Sequence, residues 1–253
     1  MTDLEDLFKL SPIESARLGS PVHRIQLPVG TEPSDIAALT DAAKKRGKLT
    51  IARCDVLNFR TWQALLSANV GLFDILEEFR GPTEALGDGS PIKSSPDIIA
   101  LKDLDSEIFN ECKELCGEVL QGIENHYSLD TRIPKDWIRG GYQDWFQRLA
   151  QSDANNSGVW VRLHGRTVAG FLAWRVSESE SLEVALYGTR PSFRNRGIAT
   201  ELIRFAAQHS LKSPQPTRDV LLVTQTWNFP SKLTALRAGL LPFRTILTFH
   251  LWS

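Results

Sequence analysis

The sequence predicts an α+β fold: a mixed, mainly antiparallel central sheet flanked by helices, preceded by a smaller α/β unit of βαβαβ type. Three observations predict it. Short runs with β-type alternation recur along the whole chain, and amphipathic helical stretches fall between many of them. A Gly-, Pro- and Ser-rich break at 81–95, GPTEALGDGSPIKSS, interrupts both periodicities. The break sets a boundary near residue 90, with an N-terminal domain over 1–90 and a larger domain over 91–253.

In the first domain VHRIQLP at 22–28 alternates as a strand, TEPSDIAALTDAAKKRG follows at helical spacing with Gly47 as its stop, and LTIARCD reads as a second strand. Asn58 is placed to cap a helix over FRTWQALLSANV, and LFDILEEFR reads as a third strand. No chemical motif stands out in this unit. Beyond the break come a strand at DIIALKD, a helix over 106–121, a polar and aromatic stretch, and a helix over 137–151. GVWVRLHG and TVAGFLAWRVS form a hairpin candidate around His164, Gly165 and Arg166. LEVALYGT, a helix, DVLLVTQTW, a short helix through 233–238 and the alternating FRTILTFHLW complete the chain. No internal repeat is evident.

The 253 residues, 42% of them hydrophobic, support a buried core in one large domain or two modest ones. With 29 basic against 30 acidic residues the net charge is -1, which argues against a nucleic-acid partner and requires any anionic ligand to be held by local groups. The acidic start MTDLEDLFKLSP lacks the pattern of a signal peptide, and no run is long enough for a membrane span. Three cysteines, Cys54, Cys112 and Cys116, fit a reducing compartment, so the cytoplasm is the expected location. Cys112 and Cys116 share a helix face, but no further ligand completes a metal site, and none is expected.

The chemistry concentrates in SLEVALYGTRPSFRNRGIATELIRFAAQH at 181–209, which reads strand, turn, amphipathic helix. Arg194, Gly197 and Ala199 form R-x-x-G-x-A where the helix begins. A helix N-terminus presents unpaired N–H groups and the positive end of its dipole, Gly197 lets backbone approach a ligand, and Arg194 and Arg196 add charge suited to a pyrophosphate.

The strand, the P-x-x-R-x-R-G-x-A turn at 191–199 and the following helix resemble the acetyl-CoA motif of GNAT-superfamily N-acetyltransferases. A second match is VLLVTQTWNFPSKL, where a strand ends at Asn228 and a helix begins. The resemblance implies acetyl-CoA entering a V-shaped opening between the strand near Val184 to Gly188 and the strand near Leu221 to Thr226. It implies coenzyme contacts from Tyr187, Gly188 and Thr189, from the turn and helix start at Arg194, Asn195, Arg196, Gly197, Ile198, Ala199 and Thr200, and from Asn228. A neutral amine attacks the thioester carbonyl directly, so the site needs an N–H donor for the oxyanion, expected near Gly188, and a route for the amine's proton. Many relatives carry a Tyr seven residues after the Asn, to protonate the departing thiolate; here that position is Ala235. Tyr187 is a candidate acid, or a core tyrosine. Glu183, on the same strand face as Tyr187 unless a bulge intervenes, is a candidate base, or a solvated position.

For the acceptor, His126, Tyr127, Asp130, Tyr142 and Trp145, in H-Y-x-x-D and Y-x-x-W patterns, are similar to the matching part of the TDP-fucosamine acetyltransferase-like nucleotide-sugar N-acetyltransferases. Aromatic faces suit a base or sugar, and Arg132 suits a diphosphate. The resemblance thus implies a nucleotide-linked amino sugar as the partner molecule, a role in making a polysaccharide, and a homodimer. Another amine acceptor, or an acyl-CoA-binding protein without turnover, stands as the alternative.

Overall fold

The structure, a computed structural model, describes residues 4–28, 30–32, 34–87, 97–152, 156–177 and 179–253. Residues 88–95 of the expected boundary segment 81–95 lie outside these. Ten strands and nine α-helices are formed by the described residues. The first part of the chain gives β1 (Lys9–Leu10), α1 (Pro12–Leu18), β2 (Val22–Leu27), α2 (Asp35–Arg46), β3 (Leu49–Asp55), α3 (Phe59–Ser67), β4 (Gly71–Pro82) and α4 (Thr83–Gly87). Then follow β5 (Ile98–Ala100), α5 (Ser106–Gln121), α6 (His126–Leu129), α7 (Asp136–Gln151), β6 (Ser157–His164), β7 (Thr167–Val176), β8 (Leu182–Thr189), α8 (Ile198–Leu211), β9 (Asp219–Gln225), α9 (Phe229–Ala238) and β10 (Leu241–Trp252).

Local chemistry explains most of these bounds. The Asp105 side chain accepts from the Ile108 N–H and so starts α5, and Asn125 caps the single turn of α6 from both sides. The last helix starts earlier than the 233–238 run and directly after Asn228, as the second family match implies: Asn228 accepts from the Ser231 N–H, and Pro230 in the first turn has no hydrogen bond to lose. The expected strand at 97–103 shortens to β5, because Leu101–Asp103 winds into a 3-10 turn.

The chain divides into two compact units, Met1–Glu77 with Glu124–Trp137 and Arg244–Ser253, and Glu78–Ile123 with Ile138–Phe243. They interleave in sequence, whereas the sequence reading placed one boundary near residue 90. In the first unit the strand order is β1-β2-β3-β10-β4, with β2 parallel to β3 and β10 antiparallel to β3. Its core lies between one sheet face and helices α2 and α3, where Ile25, Leu39, Ala52, Leu65 and Phe249 are buried together. In the second unit the order is β4-β9-β8-β7-β6-β5, antiparallel along β5 to β8 and parallel between β8 and β9. One face packs Leu182, Val184, Leu202, Leu222 and Ala235 against α8 and α9; the other packs Phe146, Phe171 and Leu186 against α5 and α7.

A repeat that the sequence hides emerges here. β2-α2-β3-α3-β4 and β8-α8-β9-α9-β10 follow the same order. At one constant offset Asn58, Phe59, Leu66, Ala68, Phe73 and Phe79 correspond to Asn228, Phe229, Leu236, Ala238, Phe243 and Phe249. Between these positions the residues differ, since burial selects for apolar size and not identity. The last strand of each repeat is exchanged: β4 lies beside β9, and β10 beside β3.

Candidate active site

The site of the second unit is built by β8, β9 and the helices that follow them. The β8–β9 ladder runs Leu182 with Val220, Glu183 with Leu221 and Val184 with Leu222, and ends there, although β8 continues to Thr189 and β9 to Gln225. The two strands therefore part beyond Val184, at the place where the sequence expects the opening. Because β8 and β9 are parallel and each is followed by a helix packed on the sheet, α8 and α9 both begin at this end.

A bulge sets what faces the opening. Along β7 the register passes from Ala173 opposite Leu186 to Trp174 opposite Val184, so Ala185 is the extra residue. Leu182 and Val184 face α8 and α9, Ala185 and Leu186 face α5 and α7, and Tyr187 returns to the α8 and α9 side. Glu183 alternates with its neighbours and so lies on the face opposite Tyr187. It forms a bidentate pair with Arg175, opposite it in the register, at 2.7 and 2.9 Å. The expected shared face of Glu183 and Tyr187 is thus corrected by the bulge.

The bulge also decides which backbone groups are free. Arg190 donates its N–H to the Ala169 carbonyl at 2.9 Å, in step with the register that sets Gly188 opposite Phe171 and Leu186 opposite Ala173. Hydrogen-bonded pairs alternate in an antiparallel ladder, so Gly188 and Leu186 turn their polar groups to β7. Tyr187 and Thr189 turn theirs to the opening. These two, and not Gly188, are the residues of this stretch whose backbone groups are not turned to β7. Gly188 itself matters for its missing side chain: a Cβ there would lie 2.4 Å from Val119 Cγ2 of α5.

The entrance of α8 suits an anion. Asn195 and Gly197 both adopt left-handed backbone, with φ of 62° and 79°. Gly197 occupies the cap position without a side-chain cap, and the first helical bond runs from the Glu201 N–H to the Gly197 carbonyl. The N–H groups of Ile198, Ala199 and Thr200 therefore have no partner within the helix. Ile198 anchors the turn by burying its side chain in the core. Arg194 and Arg196 are exposed, Arg196 lying over the Phe193 ring and donating to the Ser192 carbonyl at 3.2 Å. Glu201, the nearby carboxylate of the first turn, is engaged by Arg162 at 3.3 Å.

On the other wall, Asn228 spends its side-chain oxygen on the Ser231 N–H at 3.3 Å. The Tyr187 hydroxyl reaches α9 and donates to Ser231 Oγ at 2.5 Å. Burial pushes the phenol up to about 12, and hydrogen bonding with Ser231 and Thr234 opposes the shift. Ala235 is buried in the same cluster. Ser231 was not singled out from sequence; its position three residues after Asn228, the third of the helix, was the available signal.

The acceptor candidates divide between the units. In the first, His126 Nδ1 and His250 Nε2 lie 2.8 Å apart, and His250 Nδ1 lies 2.7 Å from Asp130. Trp252 and Arg132 also donate to Asp130, at 2.8 and 2.7 Å. Burial opposes the Asp130 charge, yet these three donors hold its carboxyl well below the usual range. Burial, helped by His250, pushes His126 well below the ordinary histidine value. The Tyr127 hydroxyl bonds Glu14, which also takes two bonds from Arg24 at 2.7 Å. These side chains bond one another in a network, in which the Arg24 and Arg132 side chains reach solvent. Tyr142 and Trp145 belong to the second unit, where both pack beside the core that holds Phe146 and Phe171.

All three cysteines are buried and free, and burial raises their thiols. Among the described residues no group of three or more His, Cys, Asp or Glu gathers to hold a metal, and no helix is long and apolar enough to cross a membrane.

Residues 120–239, a little under half of the chain, match the family described as acetyltransferase (GNAT). A GCN5-related N-acetyltransferase from Kribbella flavida is similar in fold, at TM-score 0.58 and 13% identity, over 91% of this chain and 80% of that one. A tandem GNAT protein from the clavulanic acid biosynthesis pathway gives 0.58 and 13% over 92% and 75%. A functionally unknown conserved protein from Staphylococcus epidermidis gives 0.56 and 13% over 91% and 83%. No curated protein matches the sequence. Nothing in these likenesses singles out the TDP-fucosamine acetyltransferase-like group.

Proposed function

We propose that the chain transfers an acetyl group from acetyl-CoA to the primary amine of a small molecule. The observation that carries this is the parting of β8 and β9 beyond Val184 beside the uncapped entrance of α8, with Arg194 and Arg196 at that entrance. The residues present fit the coenzyme. The free backbone of Tyr187 and Thr189 offers strand-like hydrogen bonds to its amide arm, and the N–H groups of Ile198, Ala199 and Thr200 with the two arginines suit its phosphates. The thioester supplies an acyl group that an amine can take without an enzyme nucleophile. A backbone N–H of Tyr187 or Thr189 serves as oxyanion donor, and Tyr187 is the hydroxyl placed to return a proton to sulfur.

For the acceptor, the first choice is a nucleotide-linked amino deoxysugar, on the residue pattern of His126, Tyr127, Asp130, Arg132, Tyr142 and Trp145. His126 and Asp130 are taken up in the buried network, so their support is through shape and not free donors. Polyamines, other small amines and peptide N-termini therefore belong in the same test. Thiol release from acetyl-CoA, measured against TDP- and UDP-linked amino sugars, spermidine and a peptide amine, decides the matter. Amine-dependent release supports the reading. Coenzyme binding with no release for any amine favours an acyl-CoA-binding role, the second reading, which Ala235 keeps open.

A further inference from the structure

The departing thiolate needs a proton, and the geometry points to Ser231 as the residue that positions its donor: from the first turn of α9 it holds the Tyr187 hydroxyl at the opening between β8 and β9. This rests on the proposed transfer to an amine.

Tyr187 follows the Ala185 bulge, so its ring emerges on the side of α8 and α9, past the last β8–β9 pair. There its hydroxyl is 2.5 Å from Ser231 Oγ. Asn228 fixes the turn that carries Ser231, through the Ser231 N–H, and the neighbouring Thr234 hydroxyl is itself fixed on the Pro230 carbonyl at 2.9 Å. Ser231 is buried, so its hydroxyl is not free to seek water. Ala235 leaves α9 without a long side chain one turn further on, and the acid function is carried by the strand through contact with that helix.

A hydroxyl can donate one hydrogen bond while accepting others. At rest Tyr187 donates to Ser231. As the new C–N bond forms and the C–S bond breaks, the sulfur takes the proton from Tyr187, and Ser231 turns its own hydrogen onto the phenolic oxygen. The amine loses one proton to water and the phenol regains one from water, so the step balances without another reactant.

The test uses the full chain. Ser231→Ala is expected to lower kcat about five- to tenfold, one hydrogen bond's worth of transition-state stabilisation, with KM for acetyl-CoA unchanged. Ser231→Thr, which keeps the hydroxyl, restores kcat. Tyr187→Phe costs about a hundredfold, and adding Ser231→Ala to it costs nothing more, because Ser231 acts through the phenol. The protein has 3 tyrosines, so a Tyr187 resonance in ring-labelled protein is assigned by its loss in Tyr187→Phe. It should move in Ser231→Ala and return in Ser231→Thr. Wild-type turnover with kcat undiminished in Ser231→Ala, or a further loss in the double variant, overturns the positioning role alone. A wild-type protein that binds acetyl-CoA and acetylates no amine overturns the transfer reading and this role with it. An unmoved resonance overturns the contact itself.

Discussion

Replacing Gly188 by alanine tests the packing that shapes the opening. The added Cβ would sit 2.4 Å from Val119 Cγ2 and 3.0 Å from Phe171 Cε1, and β8 cannot retreat without breaking its ladder to β7. Either α5 or the strand must shift by the better part of an ångström. Overpacking of this kind costs about 1–3 kcal/mol, and for a unit of this size each kcal/mol lowers the midpoint by about 2–4 °C. The expected fall in Tm is therefore roughly 2–12 °C. Because Tyr187 and Thr189 flank the altered residue, affinity for acetyl-CoA should fall as well. Thermal unfolding followed by circular dichroism, beside calorimetric titration with coenzyme A, reads both quantities. Adding Val119→Ala removes the nearest methyl and should recover part of each loss. Unchanged Tm and affinity in Gly188→Ala would refute the claim that the small residue at 188 holds the opening in shape.

Three other expectations follow from the same structure. Calorimetry should find one coenzyme per chain: in the first repeat the β2–β3 ladder stays paired to Leu27 and Cys54, and the next loop is strapped to α3 by Asn58 on the Pro28 carbonyl and Thr61 on the Thr31 carbonyl. A second site of similar affinity would contradict this. His126 and His250 are both depressed by burial, so below their ordinary value near 6.5 the unfolded chain binds more protons than the folded one. Stability is thus full above about pH 6.5 and falls as pH drops below it; urea midpoints at successive pH values should show the slope, and His250→Asn should flatten it. Glu14, lowered from 4.5 to about 2 by Arg24 against its burial, adds a separate loss only as pH falls through that lower window. Glu183→Gln should change kcat by less than about threefold, since its carboxylate is spent on Arg175; a hundredfold loss would restore it as the base.

The part that matches the acetyltransferase family was legible because the proposed site depends on backbone form, and backbone form leaves marks in sequence. Gly197 must tolerate a left-handed φ, arginines must flank it, and Asn228 must cap a helix, so each is recognisable by type and spacing. The bulge at Ala185 carries no such mark, since an inserted alanine resembles any strand residue, and the faces of Glu183 and Tyr187 could not be read without it. The surroundings of the acceptor candidates were illegible for another reason. His126 and Asp130 are residue types equally suited to a ligand and to one another, and only three-dimensional placement shows that His250 and Trp252, more than a hundred positions away, had already claimed them. The repeat was hidden because helix caps and a few aromatic positions survive where buried positions have drifted.

The exchange of β4 and β10 bears on how the chain reaches its final form. In the first unit β10 lies between β3 and β4, so the sheet begun by residues 22–55 lacks an inner strand until residues 244–253 arrive. During synthesis that sheet stays without its inner strand until residues 244–253 have emerged. A variant without residues 244–253 would lose order in the sheet of residues 22–55 as well, more than two hundred positions away in sequence.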